Sequence, residues 1–254
     1  MKKMIAILAV AMLLWGASAS ADTLDFLKPF WMQMMDGVSN TASGKIPENV
    51  TVTCADERLT VEACGVLLEN DYSAEAHVYA VLKNTGSERL PIRSVQMTVL
   101  GANGNTLHQE DYVSYMPSVV EPGETMLVSE WMYDFVKEIG KVDSIQISVE
   151  TASRVNEKWK QLGDVRAWLD GDYLCVEFTN TTEKTLFGVI CAATVSDANG
   201  QILDMMMQSP YDTDDLGIAQ GSSIVWRKRL EDAATLKIGT DAVCKAWAYR
   251  MEDL

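Results

Sequence analysis

The chain has 254 residues, 48% of them hydrophobic and 22% charged, with a formal net charge of −15. That apolar fraction can bury a core in one large domain or two of ordinary size, and it excludes wholesale disorder. The acidic balance excludes a nucleic-acid binder, whose footprint is a basic stripe, and argues against attraction to anionic lipid.

The first 21 residues read as a signal peptide. Lys2 and Lys3 form a positive start, Met4 to Trp15 is unbroken apolar sequence, and Ala17-Ser18-Ala19-Ser20-Ala21 offers small residues for cleavage. The apolar run falls short of the roughly 20 residues that a bilayer span needs, and no later stretch reaches that length. An exported protein is expected, periplasmic or extracellular, with no transmembrane segment in the mature chain. Residues 22–49 follow as an amphipathic segment and linker. Leu24, Leu27, Trp31 and Met34 or Met35 recur at three-to-four spacing, a short helical stripe interrupted by Pro29. Its acidic flanks favour packing or protein docking over lipid.

Export makes the five cysteines candidates for disulfides. Cys54 and Cys64 flank a polar turn, Ala55-Asp56-Glu57-Arg58, and a bridge across that hairpin is expected. Cys175, Cys191 and Cys244 lie in apolar, strand-like segments, and their pairing stays open. No Cys-x-x-Cys pair occurs, which argues against a thioredoxin-like redox site.

An internal correspondence organises the rest. Asn84 to His108 aligns without gaps on Asn180 to Asp204 at an offset of 96, with nine of 25 positions identical. Glu121-Pro122-Gly123-Glu124 then falls opposite Ala219-Gln220-Gly221-Ser222, and Ile139-Gly140 opposite Ile238-Gly239. Two copies of one module are expected. In the first, the predicted strands are 65–69, 75–84, 92–100, 107–115, 125–133 and 144–151. In the second they are 165–169, 173–180, 186–196, 201–207, 222–230 and 241–250. Leu174, Val176 and Phe178 alternate with Cys175, Glu177 and Thr179, which marks one buried face. Asn199-Gly200 supplies the positive-φ positions of a tight hairpin. Short strands punctuated by turn signals indicate antiparallel sandwiches. Helical exceptions are expected near Asp134 to Ile139 and over Ser153 to Leu162.

Asn-Thr after a strand, then a strand ending in Asp197-Ala198-Asn199-Gly200, then a Gly-marked turn before the last strands, resembles the FxLYD family. The likeness covers about residues 60–151 and 164–250. The family's namesake run reads Ala193-Thr194-Val195-Ser196-Asp197 here and Met97-Thr98-Val99-Leu100-Gly101 in the first copy, so only Asp197 matches it. The resemblance implies small immunoglobulin-like modules of exported bacterial proteins, acting as binding or spacer modules of the cell envelope without catalytic residues.

Few residues point to chemistry. His77 and His108 lie in separate predicted strands and read as ordinary surface or sheet-edge histidines. Asp212, Asp214 and Asp215 form the densest acidic run, with Asp204 near in sequence. Counted as a calcium loop, the run lacks a third side-chain ligand at Leu216 and the closing acid at Ser223. Calcium ligation by these three aspartates is therefore an alternative, beside a solvated acidic loop. Trp226 adjoins the basic cluster Arg227-Lys228-Arg229, and Trp226, Arg227 and Arg229 form the candidate binding patch. On an extended strand Trp226 and Lys228 share one face, Arg227 and Arg229 the other.

The expectation is thus an all-β protein of two tandem antiparallel immunoglobulin-like β-sandwiches, residues 50–152 and 164–254, joined by a connector over 153–163. Its expected role is a non-enzymatic, cofactor-free binding or spacer module of the cell envelope, with a protein or envelope component as partner. A calcium-binding envelope protein and a hydrolase with a dispersed site are the alternatives.

Overall fold

Strand-forming runs of Val, Ile, Thr and aromatic residues, broken by Gly, Asn and Asp, dominate from Val50 onward. The computed structural model accordingly contains strands and no α-helix among its described residues, which are 50–69, 75–132, 141–153, 158–208, 217–231 and 238–252. The first half forms β1 (Thr51–Cys54), β2 (Leu59–Glu69), β3 (Glu75–Asn84), β4 (Leu90–Gly101), β5 (Thr106–Glu110), β6 (Ser114–Met116), β7 (Val119–Val120), β8 (Thr125–Met132) and β9 (Val142–Thr151). The second forms β10 (Lys158–Leu162), β11 (Val165–Asp170), β12 (Tyr173–Thr179), β13 (Val189–Ser196), β14 (Ile202–Gln208), β15 (Ser223–Arg229) and β16 (Val243–Glu252).

The fold is all-β, built as two β-sandwiches. Sheet β1-β9-β4-β5, with β7 paired to β4, faces sheet β2-β3-β8-β6. In the second half sheet β10-β16-β13-β14 faces sheet β11-β12-β15. Pairing is antiparallel except between β1 and β9.

The two halves share a core. Along β3 the side chains alternate between two hydrophobic clusters. Ala76, Val78, Ala80 and Leu82 enter the core of the first sandwich, while Tyr79 and Val81 enter a second cluster together with the interior of the other half. Leu67 of β2 and Leu127 of β8 join that second cluster. Strand β13 is buried on both faces for the same reason. The Tyr249 hydroxyl on β16 donates to the Thr125 carbonyl on β8 at 2.9 Å, a buried bond from one half to the other. Sheet β2-β3-β8-β6 is therefore an inner layer.

Several elements depart from expectation: β1 and β7 were not anticipated, and the expected strand 107–115 divides into β5 and β6. Residues 158–162 form β10, paired to β16, instead of a helix within a connector. Trp159 and Leu162 pack on the core while Lys158 and Lys160 are exposed, so the segment has an apolar surface to cover and an open sheet edge to join. Strand β2 starts at Leu59, six residues earlier than expected, because a bulge between Val61 and Ala63 lets it change faces and continue. The helical readings of Leu24 to Met35 and Asp134 to Ile139 lie outside the described residues.

The same hydrogen bonds recur at the internal offset. Asn84 is fully buried; its Nδ2 donates to the Glu88 and Val120 carbonyls, and its Oδ1 accepts from the Gly86 amide. Asn180 repeats this with the Lys184 and Ile218 carbonyls and the Thr182 amide. The Gly123 amide donates to the Asn84 carbonyl, and the Gly221 amide to that of Asn180. At the hairpins, Gly104 and Gly200 take φ of 72° and 82° and donate to the Gly101 and Asp197 carbonyls. Each Asn satisfies two carbonyls where a strand leaves its sheet. Asn84→Ala and Asn180→Ala should each cost about 2–4 kcal/mol by leaving those acceptors buried and unpaired. Urea unfolding checks this, and a near-neutral result at either position would contradict the assigned role.

Candidate functional site

Strands β3 and β8 pair with His77 opposite Trp131 and Tyr79 opposite Ser129. The pleat puts all four side chains on the face turned toward the second half. There Asp204 of β14 is fully buried, and its Oδ1 accepts from the Met205 amide at 2.7 Å and from Lys228 Nζ at 2.6 Å. Its Oδ2 accepts from the Glu231 amide at 3.2 Å. Lys228 also donates to the Met205 carbonyl and pairs with Glu231 at 3.5 Å.

From this ion pair a polar chain crosses between the halves. The Tyr79 hydroxyl donates to Asp204 Oδ1 at 3.1 Å and sits 2.7 Å from His77 Nδ1. The Asp204 carboxylate can only accept, and with the Tyr79 proton given to it the phenolic oxygen accepts from Nδ1–H. His77 is thereby held as the Nδ1–H tautomer, and Nε2, 2.9 Å from Ser129 Oγ, carries the lone pair. The ring packs against Tyr79 and Trp131, with centroids 4.1 and 4.3 Å away and planes tilted by 37° and 35°.

Burial, with the Lys228 charge as a lesser cause, pushes the His77 pKa down to about 3. An unfolded His titrates near 6.5. Between about pH 6.5 and 3 the unfolded chain binds a proton that the folded chain does not. The stability from the neutral imidazole is thus full above pH 6.5 and lost as pH falls through that window, at up to about 1.4 kcal/mol per unit. Urea midpoints for wild type and His77→Gln should converge as pH falls from 6.5 to 4, and a pH-independent difference would refute the assignment.

Ser129 and His77 open onto a cleft of about 490 Å³. Its walls include Met116, Trp131, Met205, Met206 and Met207, and its polar rim Glu130 and Lys228. Ligand sites concentrate in such mixed clefts between packed units.

The residues anticipated from sequence fall elsewhere. On β15, Trp226 turns inward against the core, while Arg227 and Arg229 are exposed on the outer face, so the three do not form one surface. Arg227 pairs with Asp170 at 2.5 Å and lies 4.9 Å over the Tyr173 ring; Arg166 pairs with Glu177 and lies 5.3 Å over Trp168. Asp212, Asp214 and Asp215 lie outside the described residues. Asp204 is committed to the Lys228 pair. Among the described residues no group of three or more His, Cys, Asp or Glu is placed to hold a metal ion.

His77 is not a surface residue: it is 4% exposed, because the second half covers β3. His108 does lie at a sheet edge, on β5. All five cysteines are free thiols, so the expected Cys54–Cys64 bridge is not made. The turn between them joins two different sheets, with Cys54 on β1 paired to β9 and Cys64 on β2 paired to β3. Burial raises both thiol pKa values, and raises that of Cys191 to about 12. These thiols are poor nucleophiles.

Sequence reasoning missed Ser129 and Tyr79, and it named Asp204 and Lys228 without this role. Only the Met205-Met206-Met207 run and the shared parity of His77 with Tyr79 were visible signals.

No protein-family model matches the chain, and no curated protein matches it. Among solved structures it is similar to a transglutaminase of red sea bream, with 12% identity and a TM-score of 0.21 over 69% of this chain. The chain spans 27% of that structure's length. A likeness at that level carries no functional argument.

Proposed function

We propose that the chain is a non-enzymatic, exported binding module of the cell envelope, made of two copies of one β-sandwich module, and that its ligand enters the cleft between β3, β8 and β14. One observation carries this reading: the junction of the two halves keeps an open cleft with an oriented imidazole and an apolar wall. The recurring Asn84 and Asn180 networks support duplication, and the positive-then-apolar start of the chain supports export. The test is a crosslinking pull-down with the chain lacking residues 1–21 against envelope extract. Trp131→Ala should abolish capture while Arg227→Ser/Arg229→Ser retains it. The opposite pattern would move the site to the outer face of β15, and saturable capture by neither wild type nor variants would overturn the binding role.

A second reading is a hydrolase, favoured by the 2.9 Å contact of Ser129 Oγ with His77 Nε2. Ser129 would attack an acyl carbon as Nε2 takes its proton. A base with a pKa near 3 is weak for that task at neutral pH, which places this reading second. Covalent labelling of Ser129 by a fluorophosphonate would raise it to first.

A further inference from the structure

We propose that the cleft is a site for a soft monovalent cation, Cu(I) or its surrogate Ag(I), ligated by His77 Nε2 and by thioethers from Met116 and the Met205-Met206-Met207 run. The inference deepens the binding-module reading and rests on it.

Four of the chain's 14 methionines line this one cleft. Thioethers bind hard cations such as Ca²⁺ or Mg²⁺ poorly and select soft ones, and imidazole accepts the same soft metals. The histidine is prepared as metal-binding histidines are: its distal nitrogen donates to a partner that is itself anchored on a carboxylate. Here Nδ1–H is held by Tyr79, and Tyr79 by Asp204. That leaves the Nε2 lone pair on the cleft side, bridged only by the Ser129 hydroxyl, which can rotate away.

Charge acts in both directions at the cleft, and its aromatic surroundings suit a cation. Lys228 is offset by Asp204 and Glu231, and Glu130 adds a further carboxylate at the rim. The Trp131 ring, 4.3 Å from the imidazole, offers a π face to a cation bound at Nε2.

The test uses the chain lacking residues 1–21, with ¹³C-labelled methionine methyl groups, titrated with Ag(I). The expected result is that Ag(I) added beyond the equivalents taken up by the five thiols shifts the methyl signals of at least two of Met116, Met205, Met206 and Met207 and quenches Trp131 fluorescence. His77→Phe should weaken these shifts at least tenfold. Since that variant can misfold, the near-isosteric Met205→Leu/Met206→Leu/Met207→Leu chain is a second probe. It should lose Trp131 quenching while its melting temperature stays within a few degrees. Methyl signals that stay still while Ag(I) goes only to the five thiols would overturn the proposal, as would unchanged binding in His77→Phe. Trp131-dependent capture of an envelope partner, with no Ag(I) shift, would sink the metal site alone and leave the binding module standing. Loss of both would sink the module as well.

Discussion

Gly65→Val should be the most damaging single substitution in this chain, lowering stability by more than about 4 kcal/mol. Gly65 sits on β2 facing β14, and a Cβ there would lie 1.8 Å from the Ile202 carbonyl oxygen and 2.7 Å from its carbonyl carbon. Both are backbone atoms, so no rotamer change relieves the clash. Even Gly65→Ala must push the two strands apart, and the shared core that contains Leu67, Tyr79 and Ile202 opens with them. Lost contacts then add to the strain. Urea denaturation of both variants measures the effect. A Gly65→Val chain within 1 kcal/mol of wild type would mean that the halves do not depend on this close approach.

Asp204→Ala should cost about 3–5 kcal/mol, the second-largest effect. The buried carboxylate accepts from Tyr79, Lys228 and two backbone amides. Removing it leaves the ammonium with Glu231 and the Met205 carbonyl and takes an acceptor from the Tyr79 hydroxyl. The pair itself should be worth far less than that loss, because desolvating both charges offsets most of their attraction. Asp204→Leu combined with Lys228→Met should therefore recover much of the stability, with a coupling of about 1–3 kcal/mol in the double-mutant cycle. Strictly additive losses would contradict the assigned network. The imidazole gives an independent readout. In wild type, ¹⁵N shifts should show the Nδ1–H tautomer of His77, and in Asp204→Ala the tautomers should mix.

Local pattern made much of the fold legible. Along Tyr173 to Thr179 the alternation of Leu174, Val176 and Phe178 gave both the strand and its buried face, and these three do enter the core. The Asn-Gly turns were legible because a tight hairpin needs positive φ, which glycine adopts without cost. Failures came where burial had a non-local cause. Residues 158–162 have no decisive strand pattern and are extended because β16 offers an edge. Cys54 and Cys64 looked like hairpin partners because their turn is short, yet the chain changes sheets within it.

The candidate site was barely legible. His77 and Tyr79 share a strand face, but their functional surroundings come from Ser129, Asp204 and Lys228, which lie 52, 127 and 151 residues beyond His77 in the chain. No spacing rule links residues on four different strands. The outer patch shows the reverse case: Trp226, Arg227 and Arg229 are sequence neighbours, and the strand alternation already legible in the sequence puts the first on the inner face and the other two on the outer one.

The sequence by itself determined the all-β class, most strand positions and the paired Asn and Gly turn residues, since those depend on backbone preference and on a periodicity of two. The docking of the halves, the burial of His77, the tautomer imposed on it and the methionine-lined cleft were decided only in tertiary structure. Each depends on which second surface covers a strand face that its own sandwich leaves open, and a single strand's pattern cannot encode that surface.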